Sequence, residues 1–217
     1  MGDEGVFIPN NSAINGGVSL QSKAIIGTWV DDLIGIAPDD INLNLMEEEV
    51  EKYVELEHRG RPSKLLGMEC HWDKEGLVLT QTALIKNLAT SHGVSGVKHS
   101  VPIDPQHYAA IEAEVEAPAN QKDHQRIVGG LLYIARMTRP EISIYINLLG
   151  RRTKAPSTLN LQAAKNICRY LLSTRSEGLR IKGIGYKEDL SLKIYVDASY
   201  GGEEARPQTG VIITLNS

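Results

Sequence analysis

GTWVDDLIGIAP, residues 27–38, sets two adjacent carboxylates, Asp31 and Asp32, between two apolar runs with no glycine at the bend. A solvated hairpin turn usually carries Asn-Gly or Asp-Gly. The flanks, KAIIGTWV at 23–30 and LIGIA at 33–37, read as the two strands of a hairpin and as buried ones. On that reading Asp31 and Asp32 stand where an uncompensated charge is costly. Two carboxylates so placed repel each other and lose hydration, and a hard divalent cation with oxygen ligands relieves both effects. Sites that transfer nucleotidyl or phosphodiester groups use this arrangement, normally with a further carboxylate from another strand. The residues of the bend do not by themselves decide between a metal site and a solvent-facing turn.

Outward from the hairpin, Pro38, Asp39 and Asp40 form a loop able to cap a helix over 41–58, with Leu45, Met46, Val50, Tyr53 and Val54 at helical spacing. The glutamates between them read as its solvent face, and Gly60 and Pro62 end it. KLLGMECHW and GLVLTQ, joined by Asp73-Lys74-Glu75-Gly76, read as a second hairpin. A short helix follows over 82–92 with Leu84, Ile85 and Leu88 inward, then a loop-like stretch over 93–120 holding Pro102, Pro105 and Pro118. Helices are predicted at about 121–137, 140–151 and 157–174, and strands at 178–184, 190–197 and 208–215. Hairpins alternating with helices predict the α+β class.

The 217 residues are 41% apolar, enough for a core, and contain no apolar run of membrane-spanning length. MGDEGVFIPNN has no basic region followed by an apolar stretch, so no secretory signal is expected, and Val6 breaks a myristoylation pattern. Cys70 and Cys168 are isolated and read as buried thiols of a reducing compartment. The net charge of −4 hides an asymmetry, with 13 basic and 3 acidic residues between Gln121 and Lys187. That imbalance suits a polyanion partner, or equally a set of solvated helix faces. GxSxG, HExxH, a phosphate loop and paired CxxC motifs are all lacking, and the six histidines are scattered.

Five segments, in order, carry a resemblance. TWVDDLIGI resembles the aromatic-Val-Asp-Asp hairpin of reverse transcriptases. KLLGMECHWDKEGLVLTQTALIKNLA is similar to the primer-grip hairpin and following helix of copia-type LTR retrotransposon polymerases. QRIVGGLLYIARMTRPEISIYINLLGR resembles that family's Val-Gly-x-Leu-x-Tyr and Thr-Arg-Pro stretch, and AAKNICRYLLSTRSEGL its next segment. LKIYVDASYGG with TGVII at 209–213 is similar to the opening of its ribonuclease H domain.

The resemblance implies a partial polymerase palm with primer-grip hairpin over 1–92, a mostly helical thumb or connection region over 93–189, and the first strands of a ribonuclease H-like domain over 190–217. It implies that Asp31 and Asp32 bind catalytic Mg2+ or Mn2+, with Trp29 replacing the usual Tyr or Phe. Leu66, Gly67, Met68 and Glu69 would form the primer grip, and Asp197 would be the first metal-binding carboxylate of ribonuclease H. Arg151, Arg152, Lys154, Lys165, Arg169 and Arg175 would face the backbone of an RNA or DNA template–primer. The partners implied are template–primer, dNTPs and the remainder of a Pol polyprotein, with no membrane. The location implied is a cytoplasmic particle and the nucleus. The resemblance also leads to the expectation that the chain is a fragment. The Asp3–Phe7 spacing matches a non-catalytic strand, an earlier palm strand with an essential Asp would lie upstream, and the remaining ribonuclease H carboxylates downstream. Both active sites would then be incomplete. The alternative is a non-catalytic, retrotransposon-derived protein that binds nucleic acid through its basic C-terminal half.

Overall fold

A computed structural model of the chain describes residues 6–7, 24–29, 32–37, 39–96, 99–103, 117–182, 191–199 and 208–215. The chain forms two units, Met1–Gly60 with Ile184–Ser217, and Arg61–Gly183.

In the first unit the β-branched and aromatic residues of Ile25–Trp29 (β2) pair antiparallel with Asp32–Ile36 (β3), in the register Ile25↔Ile36 to Trp29↔Asp32. Val6–Phe7 (β1) adds to the other side of β2. The hairpin lies where the sequence places it. Its flanks are not buried as expected, since Ile25, Leu33 and Ile36 are exposed, Ile36 to 65%. Among the described residues the element packed on β3 is the helix Asp40–Glu51 (α1), whose Met46 lies over Gly35. Asp39 caps α1, accepting from the Asn42 N–H at 2.8 Å.

The helix stops at Glu51, short of residue 58. Its glutamates therefore fall in the last turns, where the dipole opposes them, and its last turn holds no basic residue. Beyond it the chain folds back, and His58 meets Glu51 at 2.8 Å and Glu47 at 3.5 Å. Leu192–Ser199 (β8) and Gln208–Leu215 (β9) pair antiparallel along their full length.

The second unit joins a sheet to a helical core. Lys64–Leu65 (β4), Met68–Asp73 (β5), Gly76–Thr80 (β6) and Leu179–Lys182 (β7) form an antiparallel sheet in that order. KLLGMECHW is thus two strands and a tight turn, not one strand. Asp73 closes the β5–β6 turn by accepting from the N–H groups of Glu75 at 2.9 Å and Gly76 at 3.1 Å. It also pairs with Arg180 of β7 at 2.8 Å. Gly178, just before β7, lies so close to β6 that a Cβ there would sit 2.0 Å from the Leu79 carbonyl oxygen.

Among the described residues of this unit the helices are Thr82–Ser91 (α2), Gln121–Met137 (α3), Ser143–Arg151 (α4) and Thr158–Ser173 (α5), with a 3-10 turn, Pro140–Ile142, ahead of α4. Their apolar stripes bury Ile85, Leu131, Ile146, Leu149, Ile167 and Leu171 in one core. Val94 and Ile103, from the stretch read as loop, also enter it. Ser157 and Asn160 form a reciprocal capping box at the start of α5. Gly130 admits Leu88, since a Cβ there would lie 2.7 Å from the leucine Cδ1. Among the described residues no helix is long and apolar enough to cross a membrane. The class is α+β, as the alternation of hairpins and helices predicts. The units divide the chain after residues 60 and 183, because β6–β7 pairing and α2–α5 packing tie the second hairpin to the helices.

Candidate functional site

The β4–β5 turn carries the most unusual backbone of the described residues. Leu66 has φ +47° and Gly67 φ +73°, the two left-handed central residues of a type I′ turn. Glycine adopts this conformation freely, whereas a leucine in it is strained by about 1 kcal/mol or more. The strain is held from two directions. The Leu66 side chain packs on Met68, Cys70 and Leu79, and the Tyr133 hydroxyl of α3 donates to the Leu66 carbonyl. Of the four residues expected to form a primer grip, Leu66 and Gly67 make the tip while Met68 is buried.

Glu69 turns inward. Its Oε2 accepts from the Thr82 N–H at 2.8 Å and the Thr80 hydroxyl at 3.0 Å, and its Oε1 from the Ala83 N–H at 2.9 Å. The residue preceding α2, Gln81, makes no side-chain cap bond, so a carboxylate from another strand satisfies the helix N-terminus instead. Burial pushes the Glu69 carboxyl up. The Ala83 N–H, the Thr80 hydroxyl and the Thr82 N–H together outweigh it and hold the group below the usual carboxylate range.

Thr138-Arg139-Pro140 forms a second hub. The Thr138 hydroxyl donates to Gln81 Oε1 at 2.8 Å, joining the end of α3 to the start of α2. Arg139 is only 2% exposed. Its Nε meets Glu141 at 2.6 Å, its Nη1 and Nη2 donate to the carbonyl and hydroxyl of Thr174 at 3.0 and 2.8 Å, and its guanidinium lies 5.4 Å from the Tyr170 ring centre. A buried guanidinium survives only with such compensation. The triplet stands out in the sequence, but its partners lie far along the chain and nothing local points to them. His124, near the start of α3, is fully buried with neither ring nitrogen hydrogen-bonded among the described residues, and burial lowers its pKa.

Asp32 opens β3 opposite Trp29, and it is exposed. Asp31 lies outside the described residues. Arg59 is the described cation near Asp32; its pKa is raised chiefly by its hydrogen bond to Glu57, with Asp32 adding to the effect. Asp197 sits on β8 opposite Gly210, exposed to solvent. Among the described residues no three His, Cys, Asp or Glu side chains converge as a metal site would require. An exposed carboxylate at a strand end is nevertheless a hard oxygen donor of the kind Mg2+ takes.

The basic residues fall into separate groups. Arg151 and Arg152 end α4, and Lys154 follows in a turn that Gln121 and Gln125 of α3 hold through the Thr153 carbonyl at 3.2 and 3.3 Å. Arg169 donates to Asn166 at 2.7 Å, and Arg175, beyond α5, to the Leu172 carbonyl at 3.1 Å. Lys165 of α5 and Arg126 of α3 both act electrostatically on His92 at the end of α2. Burial lowers the His92 pKa, Asp123 opposes it, and Lys165 and Arg126 lower it further. Arg126, counted among the basic residues after Gln121 in the sequence reading but not singled out there, lies exposed on α3.

No protein-family model matches the chain, and no solved structure matches it. It is similar to a Ty5-1 transposon protein of Saccharomyces cerevisiae, 31% identical over 195 residues, which cover 88% of this chain and 61% of that protein. It is 28% identical over 190 residues to the retrovirus-related Pol polyprotein from transposon RE1 of Arabidopsis thaliana, covering 86% of this chain and 13% of the polyprotein. The Pol polyprotein from transposon TNT 1-94 of Nicotiana tabacum is 23% identical over 208 residues, 91% of this chain and 15% of its own length. The chain thus spans 61% of the yeast protein and a small part of each polyprotein.

Proposed function

The chain is a homologue of the Ty5/copia-type retrotransposon Pol polyproteins, and from that premise we propose that it is the template–primer-handling part of an RNA-directed DNA polymerase. Asp31 and Asp32 would hold the divalent ions at the β2–β3 bend, and Asp197 would serve the ribonuclease H portion. Bound Mg2+ would supply charge stabilisation to the attacking and leaving oxygens of nucleotidyl transfer from a dNTP. The observation that supports the reading best is the β4–β5 turn, a strained Leu66-Gly67 pair fastened to the sheet and to α3. A fastened tip of this kind can hold a strand end where chemistry needs it, because misplacement by about 1 Å costs orders of magnitude in rate. The remainder of the Pol polyprotein would be the covalent context.

A second reading, a nucleic-acid-binding protein without catalysis, is favoured by the excess of 13 basic over 3 acidic residues between Gln121 and Lys187. Both readings expect a labelled RNA–DNA template–primer to bind with an affinity that falls steeply with salt. Mn2+ binding followed by electron paramagnetic resonance separates them. Binding lost in the Asp31→Asn and Asp32→Asn variants supports the polymerase reading, and equal Mn2+ binding by the wild type and both variants rejects it. Failure of the wild-type chain to bind template–primer at low salt rejects both.

A further inference from the structure

We propose that Tyr133 is a positioning residue whose hydroxyl fixes the Leu66-Gly67 turn and, through it, the 3′ end of a bound primer; the inference rests on the primer-grip reading above. A leucine at the first central position of a type I′ turn relaxes unless its surroundings over-determine it. Packing of Leu66 on Met68, Cys70 and Leu79 ties the turn to its own sheet. The Tyr133 hydroxyl ties it to α3, a different layer. The hydroxyl also lies against the next residue, since a Cβ on Gly67 would be 3.7 Å from it. The phenol is 40% exposed and is no part of the helical core, so its polar end is spent on the turn. The far end of α3 is joined to α2 through Thr138 and Gln81, and α2 to β5 through Glu69. The tip is therefore held at both ends of a closed circuit, with Tyr133 as the link that reaches the tip itself.

The test uses the full chain and Tyr133→Phe, which removes one oxygen. Hydrogen exchange of a peptide spanning residues 64–70 is expected to quicken roughly three- to tenfold, the range that loss of one neutral hydrogen bond gives. A 2-aminopurine at the primer 3′ terminus is expected to become more mobile, while the same probe at an internal position and the duplex Kd stay unchanged. Unaltered exchange and an unaltered 3′ signal in the Phe variant overturn the inference. Equal changes at both probe positions also overturn it, by making Tyr133 merely structural. A wild-type chain that binds no template–primer overturns the primer-grip reading itself, which the probe comparison distinguishes from failure of the Tyr133 role alone.

Discussion

The Glu69 carboxylate on β5 accepts the backbone N–H of Ala83 in the first turn of α2 at 2.9 Å, fourteen positions along the chain. A strand residue thus caps a helix, and the second hairpin and α2 are one mechanical piece. Replacing Glu69 with Ala should destabilise the chain by about 1–2 kcal/mol, the worth of a helix cap. Urea unfolding measures it; a loss below a few tenths would show that the cap is dispensable.

The same carboxyl carries a pH signature. Its pKa is lower folded than unfolded, so its stabilisation is complete above the ordinary carboxyl range and is lost as pH falls through the folded value. Between pH 6 and about pH 3, the wild type should lose more stability than Glu69→Gln. Parallel curves would contradict this.

His124 acts nearer neutrality. Burial lowers its folded pKa below 6.5, so the unfolded chain takes up a proton first and acidification below about pH 6.5 favours unfolding. Its place in the first turn of α3, near the positive end of the helix dipole, adds to the cost of charging it. His124→Leu should flatten the stability profile between pH 7 and about pH 5. An unchanged slope in thermal melts across that window would refute the assignment.

Arg139 anchors Thr174 and Glu141 from a buried position. Arg139→Ala should cost about 3 kcal/mol from its charged hydrogen bonds, and Arg139→Lys should recover only part, because an ammonium cannot span both Thr174 acceptors. Full recovery by lysine would show that charge alone matters. Gly178→Ala should cost about 1–3 kcal/mol by pushing β7 from β6, readable as faster exchange of the β7 amides.

For nucleic-acid binding, removing Arg126 and Lys165 together should reduce the slope of log K against log salt by about 1.5–2. Removing Arg151, Arg152 and Lys154 tests the second group separately. A slope unchanged by either triple or double variant would place the contact elsewhere.

Much of the fold was legible. The helices at 121–137 and 157–174 stood out by their apolar stripes at helical spacing, and the structure adds Asn120 and Ser157 as their caps. The end of α1 was misread because Tyr53 and Val54 continue the apolar spacing, whereas the glutamates oppose the dipole there. The β4–β5 turn was missed because a leucine holds a place where Asn or Gly would have announced it. The apolar flanks of the Asp pair promised burial that the described residues do not supply. The candidate site was legible as residues in series, and Leu66, Gly67 and Glu69 acquired physical roles once their partners were visible. Tyr133 and Arg139 took theirs from contacts that no local pattern encodes.

The pairing of Leu79 with Leu179 joins strands 100 positions apart, and it dictates an order of assembly. During synthesis β6 emerges with its outer edge open, and α2, α3, α4 and α5 must all follow before β7 arrives to close it. Local contacts form first and this closure last, since a long loop is entropically costly to shut and such topologies fold slowly. Until then the nascent hairpin is a waiting template for any strand that reaches it first. The helical core, by condensing early and carrying residue 178 back to β6, is what makes its own chain the winner of that race.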